Sequence, residues 1–463
     1  MNDPRARPRP RPRRSKADPA REAAYDVLAA VREQDAYTNL VLAQMLRARG
    51  ITGRDAAFTT ELVSGTIRRQ GTYDAVLAAN LDRRLDRLQP QVLDVLRLGA
   101  HQILAMRVPS HAAVGTSVDL VRAKVGQGPS GLVNAVLRKV AAHDLSGWVR
   151  RVAPDPASDE VGFASVAYSH PRWVVAALVE ALGVDELDAL LAADNEPPKV
   201  TLVARPGLST VEELVAAGGQ ASTMSPYAVQ LAGGDPHDVP AVSDGRAGVQ
   251  DEGSQLVALA LTRAEVDGSD ERWLDLCAGP GGKSALLAAL AGERGARVLA
   301  SERQPHRSTL VATATATAGA GLLGVVTADG TRPAWRDGSF DRVLDDAPCS
   351  GLGALRRRPE SRWRRTPADL DDLVPLQEAL LSSALDAVRP GGVVVYATCS
   401  PVLAETSGVV ASVMAARPDA VLEDATPLFE GVPDVAGPSP GTLQLWPHRH
   451  GTDAMFIALL RRT

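Results

Sequence analysis

Two of the three cysteines in this chain stand where a nucleophile would be needed. Cys349 lies in Asp346-Ala347-Pro348-Cys349-Ser350-Gly351, and Cys399 lies in Tyr396-Ala397-Thr398-Cys399-Ser400-Pro401. Each follows a short apolar run that predicts a buried strand, Phe340 to Leu344 in one case and Val393 to Val395 in the other. Thiols just beyond the ends of two parallel strands can share one cleft. A pair of thiols with an acid, Asp346, suits chemistry at a ring carbon. Cytosine C5 is a poor nucleophile until a thiolate adds to C6 and makes C5 enamine-like. An acid near N3 assists that addition, and a base must then remove the C5 proton so that the thiolate can leave.

A glycine loop precedes these motifs. Asp275-Leu276-Cys277-Ala278-Gly279-Pro280-Gly281-Gly282-Lys283-Ser284 ends one strand and opens a helix. Glycines there permit a tight turn and close backbone approach to a ligand. The loop lacks the four-residue spacer of a P-loop, which argues against an NTPase, and Cys277 occupies the first glycine position of a dinucleotide fingerprint. The next strand ends at Glu302, an acid suited to a ribose diol, and the third ends near Asp329, suited to an adenine amine. Loop and acids in that order describe an adenosine-type ligand such as S-adenosylmethionine. Cys277 itself reads best as a small packed side chain beside the loop. At Asp346 the aromatic residue of an Asp-Pro-Pro-Tyr-like motif is missing and a thiol takes its place, which points away from methylation of a ring amine.

The elements that must position these residues follow from periodicity and punctuation. Residues 251–463 alternate strands (Arg272 to Leu276, Arg297 to Ser301, Gly324 to Thr327, Phe340 to Asp345, Gly392 to Tyr396) with helices such as Lys283 to Leu290 and Leu373 to Val388, predicting a parallel doubly wound sheet. Residues 144–250 predict a small α+β connecting module, with a helix from Pro171 to Leu182, a strand from Val200 to Val203 and a helix from Val211 to Ala217. Residues 19–143 read as all helix, with amphipathic stretches separated by Gly50, Gly71, Pro90, Pro109 and Gly128-Pro129. Residues 1–18 are rich in Arg and Pro and predict a disordered tail, either solubilising or tethering RNA nonspecifically.

Composition bounds the function class. Hydrophobic residues at 45% and charged residues at 23% place the chain among soluble globular proteins. No apolar run reaches the roughly 18 residues of a membrane span, and no apolar stretch follows Arg14 to make a signal peptide. Three cysteines with no Cys-x-x-Cys make neither a disulfide scaffold nor a zinc site, so a reducing cytoplasm and no metal are expected. Net charge is −5, yet basic residues cluster at 5–16 and again at Arg356-Arg357-Arg358, Arg362, Arg364 and Arg365 around Trp363. Local patches of this kind suit a polyanion held at one place, with Trp363 and the guanidinium groups available for base stacking.

At these motifs the chain resembles the bacterial 16S ribosomal RNA cytosine-C5 methyltransferase B family (Sun/Fmu type), over almost all of residues 19–463. Leu274 to Lys283 resembles the family's cofactor loop, with Gly279 where alanine is common. Asp346 to Gly351 with Arg357, Pro359 and Trp363 resembles its fourth-strand motif, and Tyr396 to Ser400 with Glu405 its nucleophile motif. Val249 to Gln255 and Trp446-Pro447-His448 also fit, and the helical region resembles the RNA-binding antitermination factor NusB. The resemblance implies an N-terminal NusB-like bundle and a C-terminal Rossmann-like methyltransferase domain. It implies that Cys399 adds to C6, that Cys349 assists release of the methylated base, and that Asp346 holds the cytosine ring. Cys277, Ala278, Gly279, Pro280, Gly281, Gly282, Lys283, Glu302, Asp329 and Asp346 would bind S-adenosylmethionine. The implied partner is RNA, foremost 16S rRNA, with no membrane, no obligate protein partner and a monomer as the default. Asp453-Ala454-Met455-Phe456 departs from the family's usual Asp-Gly-Phe-Phe.

Two rivals stand beside this reading: a C5-methyltransferase of tRNA or 23S rRNA, and a noncatalytic RNA-binding assembly factor that keeps a methyltransferase fold. Spacing alone leaves open which thiol attacks, because Pro348-Cys349 has the look of the nucleophile pair in DNA cytosine methyltransferases; the resemblance assigns the attack to Cys399.

Overall fold

A computed structural model describes residues 17–34 and 36–463. The expected Arg/Pro tail lies, up to residue 16, outside the described residues. The chain divides into two compact units, Met1–His170 and Pro171–Thr463.

The described part of the first unit is helical throughout, with nine α-helices from Pro19–Gln34 to Glu160–Ala167. The predicted stretches are recovered within a few residues: Pro90–Leu104 starts on its proline, whose missing N–H is no loss at that position. Close crossing of this helix with Ser130–Val140 depends on Gly99, where a Cβ would lie 2.5 Å from Leu137 Cδ1. Helices Leu145–Val152 and Glu160–Ala167 pack on Gln70–Ala78. They therefore join this unit, whereas the sequence suggests a boundary near residue 143.

The second unit opens with a small antiparallel sheet of β1 (Thr201–Ala204), β2 (Gly219–Ala221), β3 (Ala228–Leu231) and β4 (Ala247–Val249) in the order β2-β3-β1-β4. Leu202, Val229 and Leu231 bury against Leu214 of the helix Val211–Ala216. The larger sheet holds β5 (Arg272–Asp275), β6 (Arg297–Glu302), β7 (Leu322–Thr327), β8 (Phe340–Asp346), β9 (Val388–Thr398), β10 (Ala420–Glu423), β11 (Leu443–Gln444) and β12 (Phe456–Arg462). Its order is β10-β12-β9-β8-β5-β6-β7, with β11 paired to β12.

Strands β5 to β9 are parallel, as expected. The sheet as a whole is mixed, which corrects the wholly parallel expectation: β12 runs antiparallel between β9 and β10. The run Phe456-Ile457-Ala458-Leu459-Leu460 is continuously buried because both its faces are covered. Neighbouring residues on a strand enter opposite cores: Val393 and Val395 pack with Leu256, Leu286 and Leu287, while Val394 and Tyr396 pack with Leu381, Leu385 and Val409. The chain leaves β5 towards β6 and β7, then returns to place β8 on the other side of β5. That reversal opens a crevice at the carboxyl ends of β5 and β8, where ligands of such sheets bind.

Candidate active site

Strand order explains why the two thiols meet. β8 and β9 are parallel neighbours with Asp346 opposite Ala397, and Ala347 N–H donates to Ala397 O at 2.9 Å beyond the ladder. The two chains leave the sheet side by side. Cys349 Sγ lies 3.5 Å from Cys399 Sγ, both half-buried and both free.

Glu405 fixes this approach. Its carboxylate is fully buried and accepts bonds from Ser350 N–H at 2.7 Å, Ser350 Oγ at 2.5 Å and Ser400 Oγ at 2.6 Å. Gln377 Nε2 donates both to it, at 3.0 Å, and to Pro348 O at 2.9 Å. One buried anion thus ties together the residues that follow each cysteine, and charge-assisted bonds of this kind are the strong ones. Gly353 N–H also donates to Cys399 O at 2.9 Å, and a Cβ on Gly353 would lie 2.2 Å from Ala454 O. The Asp453 to Phe456 segment therefore lies directly against the Cys349 loop.

The surroundings separate the thiols electrostatically. Cys399 is held below the usual thiol range, first by the bond from Cys349, against burial and Asp346, with the Lys283 ammonium and the Arg358 guanidinium adding support. Cys349 is pushed well above it by the bond to Cys399, by burial, and by the charges of Cys399 and Glu405. Of the two thiols, Cys399 is therefore the one whose surroundings favour ionisation and Cys349 the one that keeps its proton.

The glycine loop runs beside them. Lys283 Nζ bonds to Asp346 Oδ2 at 2.7 Å; burial works against the lysine charge, but the carboxylate prevails and raises its pKa. Asp275 Oδ2 accepts from Ser284 Oγ at 2.6 Å, and burial pushes its carboxyl up to about 7. Gly281 has φ +111°, and a Cβ there would come within 2.7 Å of Ala314 Cβ. A Cβ on Gly279 would lie 2.1 Å from Glu302 Oε2. Glu302, buried at the end of β6, accepts from Gln304 N–H at 2.9 Å, and Arg307 lies 3.5 Å from its other oxygen while donating to Gly279 O at 2.8 Å. Asp329, just after β7, accepts from Thr331 Oγ1 at 2.7 Å and Thr331 N–H at 3.0 Å, and these bonds hold it below the usual carboxylate range. Cys277 is a neutral thiol, raised well above its ordinary pKa by burial and then by nearby carboxylates, and it packs with the core under β5.

These residues fit S-adenosylmethionine. Glycine at 279 and 281 lets the loop after β5 pass close to Glu302 and to the helix Pro305–Ala314, and acids stand beyond β6 and β7 in the order a nucleoside requires. Cys349, Cys399, Asp346 and Lys283 come together at the crevice edge; Glu302 and Asp329 stand at successive strand ends on its other side. The sequence reading did not single out the Lys283–Asp346 pair as an ion pair, nor Gln250, a buried side chain over Gly282, nor the staple made by Glu405. Lysine in a glycine loop was the visible signal for the first.

The basic run after Cys349 is corrected by the structure. Arg362 is fully buried and donates to Asn195 Oδ1 at 2.9 Å and Asp194 O at 3.1 Å; Arg356, also buried, donates to Gly451 O at 2.8 Å. Arg357 pairs with Asp453 and Asp251, and Arg365 Nε donates to Ser350 O at 3.2 Å. Much of the run braces the site from inside, because a guanidinium in the interior needs acceptors on every edge. Arg358 is the exposed member. Among the described residues no helix is long and apolar enough to cross a membrane.

A family model described as 16S rRNA methyltransferase RsmB/F matches residues 264–461, and one described as the NusB family matches residues 18–142. The chain is 54% identical over 454 residues to a putative methyltransferase of Mycobacterium tuberculosis (strain H37Rv), covering 97% of this chain and 98% of that one. It is 30% identical over 453 residues to a probable ribosomal RNA small subunit methyltransferase B of Bacillus subtilis, covering 96% and 98%. Among solved structures, PH0851 is similar with a TM-score of 0.79 at 22% identity, over 96% of this chain and 99% of that one. NSun6 from Pyrococcus horikoshii with SFG is similar with a TM-score of 0.54 at 18% identity, over 63% and 98%.

Proposed function

The chain belongs to the 16S rRNA methyltransferase RsmB/F family, whose members are S-adenosylmethionine-dependent RNA methyltransferases, and on that premise we propose that it methylates C5 of a cytosine in 16S rRNA through a covalent bond between Cys399 and C6. The observation that carries the reading is the 3.5 Å approach of Cys349 and Cys399 beside the Lys283–Asp346 pair. It acts, on this reading, in the cytoplasm and as a monomer.

Cys399 attacks C6 as a thiolate, and the flow of electrons into the ring makes C5 nucleophilic. Asp346 orients the base at its N3 edge, and Lys283 holds Asp346 in place. Bound S-adenosylmethionine supplies the electrophilic methyl group that C5 takes up. The loop from Cys277 to Lys283, with Glu302 and Asp329, orients the adenosine and keeps water from the crevice. Once its sulfur is bonded to carbon, Cys399 no longer accepts the Cys349 proton. The bond and charge of Cys399 no longer raise Cys349, leaving burial and Glu405 against its ionisation; its proton passes to solvent, and the resulting thiolate removes the C5 proton. The C5–H electrons restore the double bond to C6, and Cys399 leaves as a thiolate.

Incubation of the full chain with methyl-labelled S-adenosylmethionine and unmodified 16S rRNA, followed by digestion to nucleosides, tests this. Label in 5-methylcytidine is the expected result. Label in N4-methylcytidine would remove the covalent mechanism. Label only when tRNA or 23S rRNA is supplied would move the substrate, and no label in any RNA would favour the noncatalytic assembly factor.

A further inference from the structure

Gln250 is a buried side chain with no part in the chemistry above. It follows β4, and its backbone is fixed on both sides: its N–H donates to Thr201 O at 3.0 Å, and its carbonyl accepts from Gln255 Nε2 at 3.1 Å. The next residue, Asp251, caps the helix Glu252–Arg263 through Gly253 N–H at 3.0 Å. The side chain therefore has a set origin, and Gln250 is only 7% exposed. Yet neither Nε2 nor Oε1 has a hydrogen-bond partner among the described residues. Buried amides are almost always bonded, since an unmade bond costs the whole desolvation of the group.

The amide lies over Gly282, the first residue of the helix Gly282–Glu293. A Cβ at Gly282 would sit 3.8 Å from Gln250 Cδ and 3.9 Å from Nε2. The first N–H groups of that twelve-residue helix have no partner within the helix and carry its positive end. A ligand seated between them must offer an anion to the helix and to Nε2–H, and a donor to Oε1. An α-amino acid offers both on adjacent atoms, as carboxylate and ammonium. Lys283, the cation at this turn, is committed to Asp346 at 2.7 Å.

We infer that Gln250 binds the α-amino-acid end of the methyl donor, its Nε2–H donating to the carboxylate and its Oε1 accepting from the ammonium. This rests on the S-adenosylmethionine reading of the glycine loop. A cytosine edge also presents donors and acceptors, but the position over the helix start favours a carboxylate.

Calorimetry on the full chain with two probes separates the possibilities. S-adenosylhomocysteine carries the amino-acid end, and 5′-methylthioadenosine keeps the adenosine and lacks it. Gln250→Ala should weaken S-adenosylhomocysteine about tenfold or more, the scale of one lost charge-assisted bond, and leave 5′-methylthioadenosine unchanged. Gln250→Glu, of the same shape but charged against a carboxylate, should weaken S-adenosylhomocysteine further, again without touching the second probe. Unchanged S-adenosylhomocysteine affinity in both variants overturns the inference, and points to the base if RNA binding falls instead. Equal loss of both probes also overturns it, because the side chain would then only shape the pocket. Failure of the unaltered chain to bind S-adenosylhomocysteine would instead sink the reading of the glycine loop itself.

Discussion

Cys399→Ala should abolish methyl transfer, by at least about a thousandfold, the barrier scale expected when a covalent route is removed. Without addition at C6, cytosine C5 has too little electron density to take a methyl group, and neither of the other two cysteines can replace the attack. Cys277 is held neutral by burial and nearby carboxylates, and Cys349, with Cys399 gone, by burial and the Glu405 charge. The change removes one half-buried sulfur atom, while Glu405 still holds Ser350 and Ser400. Affinity for S-adenosylmethionine should therefore stay within about twofold, since a substitution that removes no bond of the glycine loop shifts binding by well under ~1 kcal/mol. Turnover at the normal rate would end the assignment of Cys399.

Cys349→Ala should fail later, after attack and methylation. Losing Cys349 removes the bond that does most to lower the Cys399 thiol and leaves Lys283 and Arg358 against burial and Asp346, so addition slows, but each chain that adds and takes up a methyl group goes no further. Nothing then removes the C5 proton, and the RNA stays bound to the protein. The expected result is a slowly migrating band on a denaturing gel, approaching one RNA per chain, that collapses on nuclease treatment and is absent from the double variant Cys349→Ala/Cys399→Ala. A trapped adduct from Cys399→Ala in place of Cys349→Ala would reverse the two roles.

Much of the site is legible in the sequence because its residues sit at strand ends, and strand ends can be read from apolar runs that stop at Gly, Pro or Asp. Asp275, Glu302, Asp346 and Thr398 are each within a residue or two of where those runs end. The helices of the first unit are equally legible, since each carries its own stripe and punctuation. What escapes is whatever depends on distant partners. Arg362 reads as a surface cation among other arginines, yet its acceptor on Asn195 is 167 residues away. β12 escapes because its direction is decided by where the chain re-enters the sheet, after a helix and a long excursion, and the residues of the strand record only that both its faces are covered. Glu405 carries a visible motif position, but its work is to bond two serines on different loops, one of them 55 residues distant. Gln250 lies in a recognisable segment too; its unmet hydrogen bonds exist only once β4 and the glycine loop are brought together.

Bisulfite sequencing of 16S rRNA from cells with and without the gene reads the product itself, because 5-methylcytosine resists the conversion that unmodified cytosine undergoes. One protected cytosine is expected in the 16S rRNA of cells carrying the gene, converted in its absence, with protection restored by the unaltered chain and not by Cys399→Ala. An identical protection pattern with and without the gene, or restoration by Cys399→Ala, would contradict it.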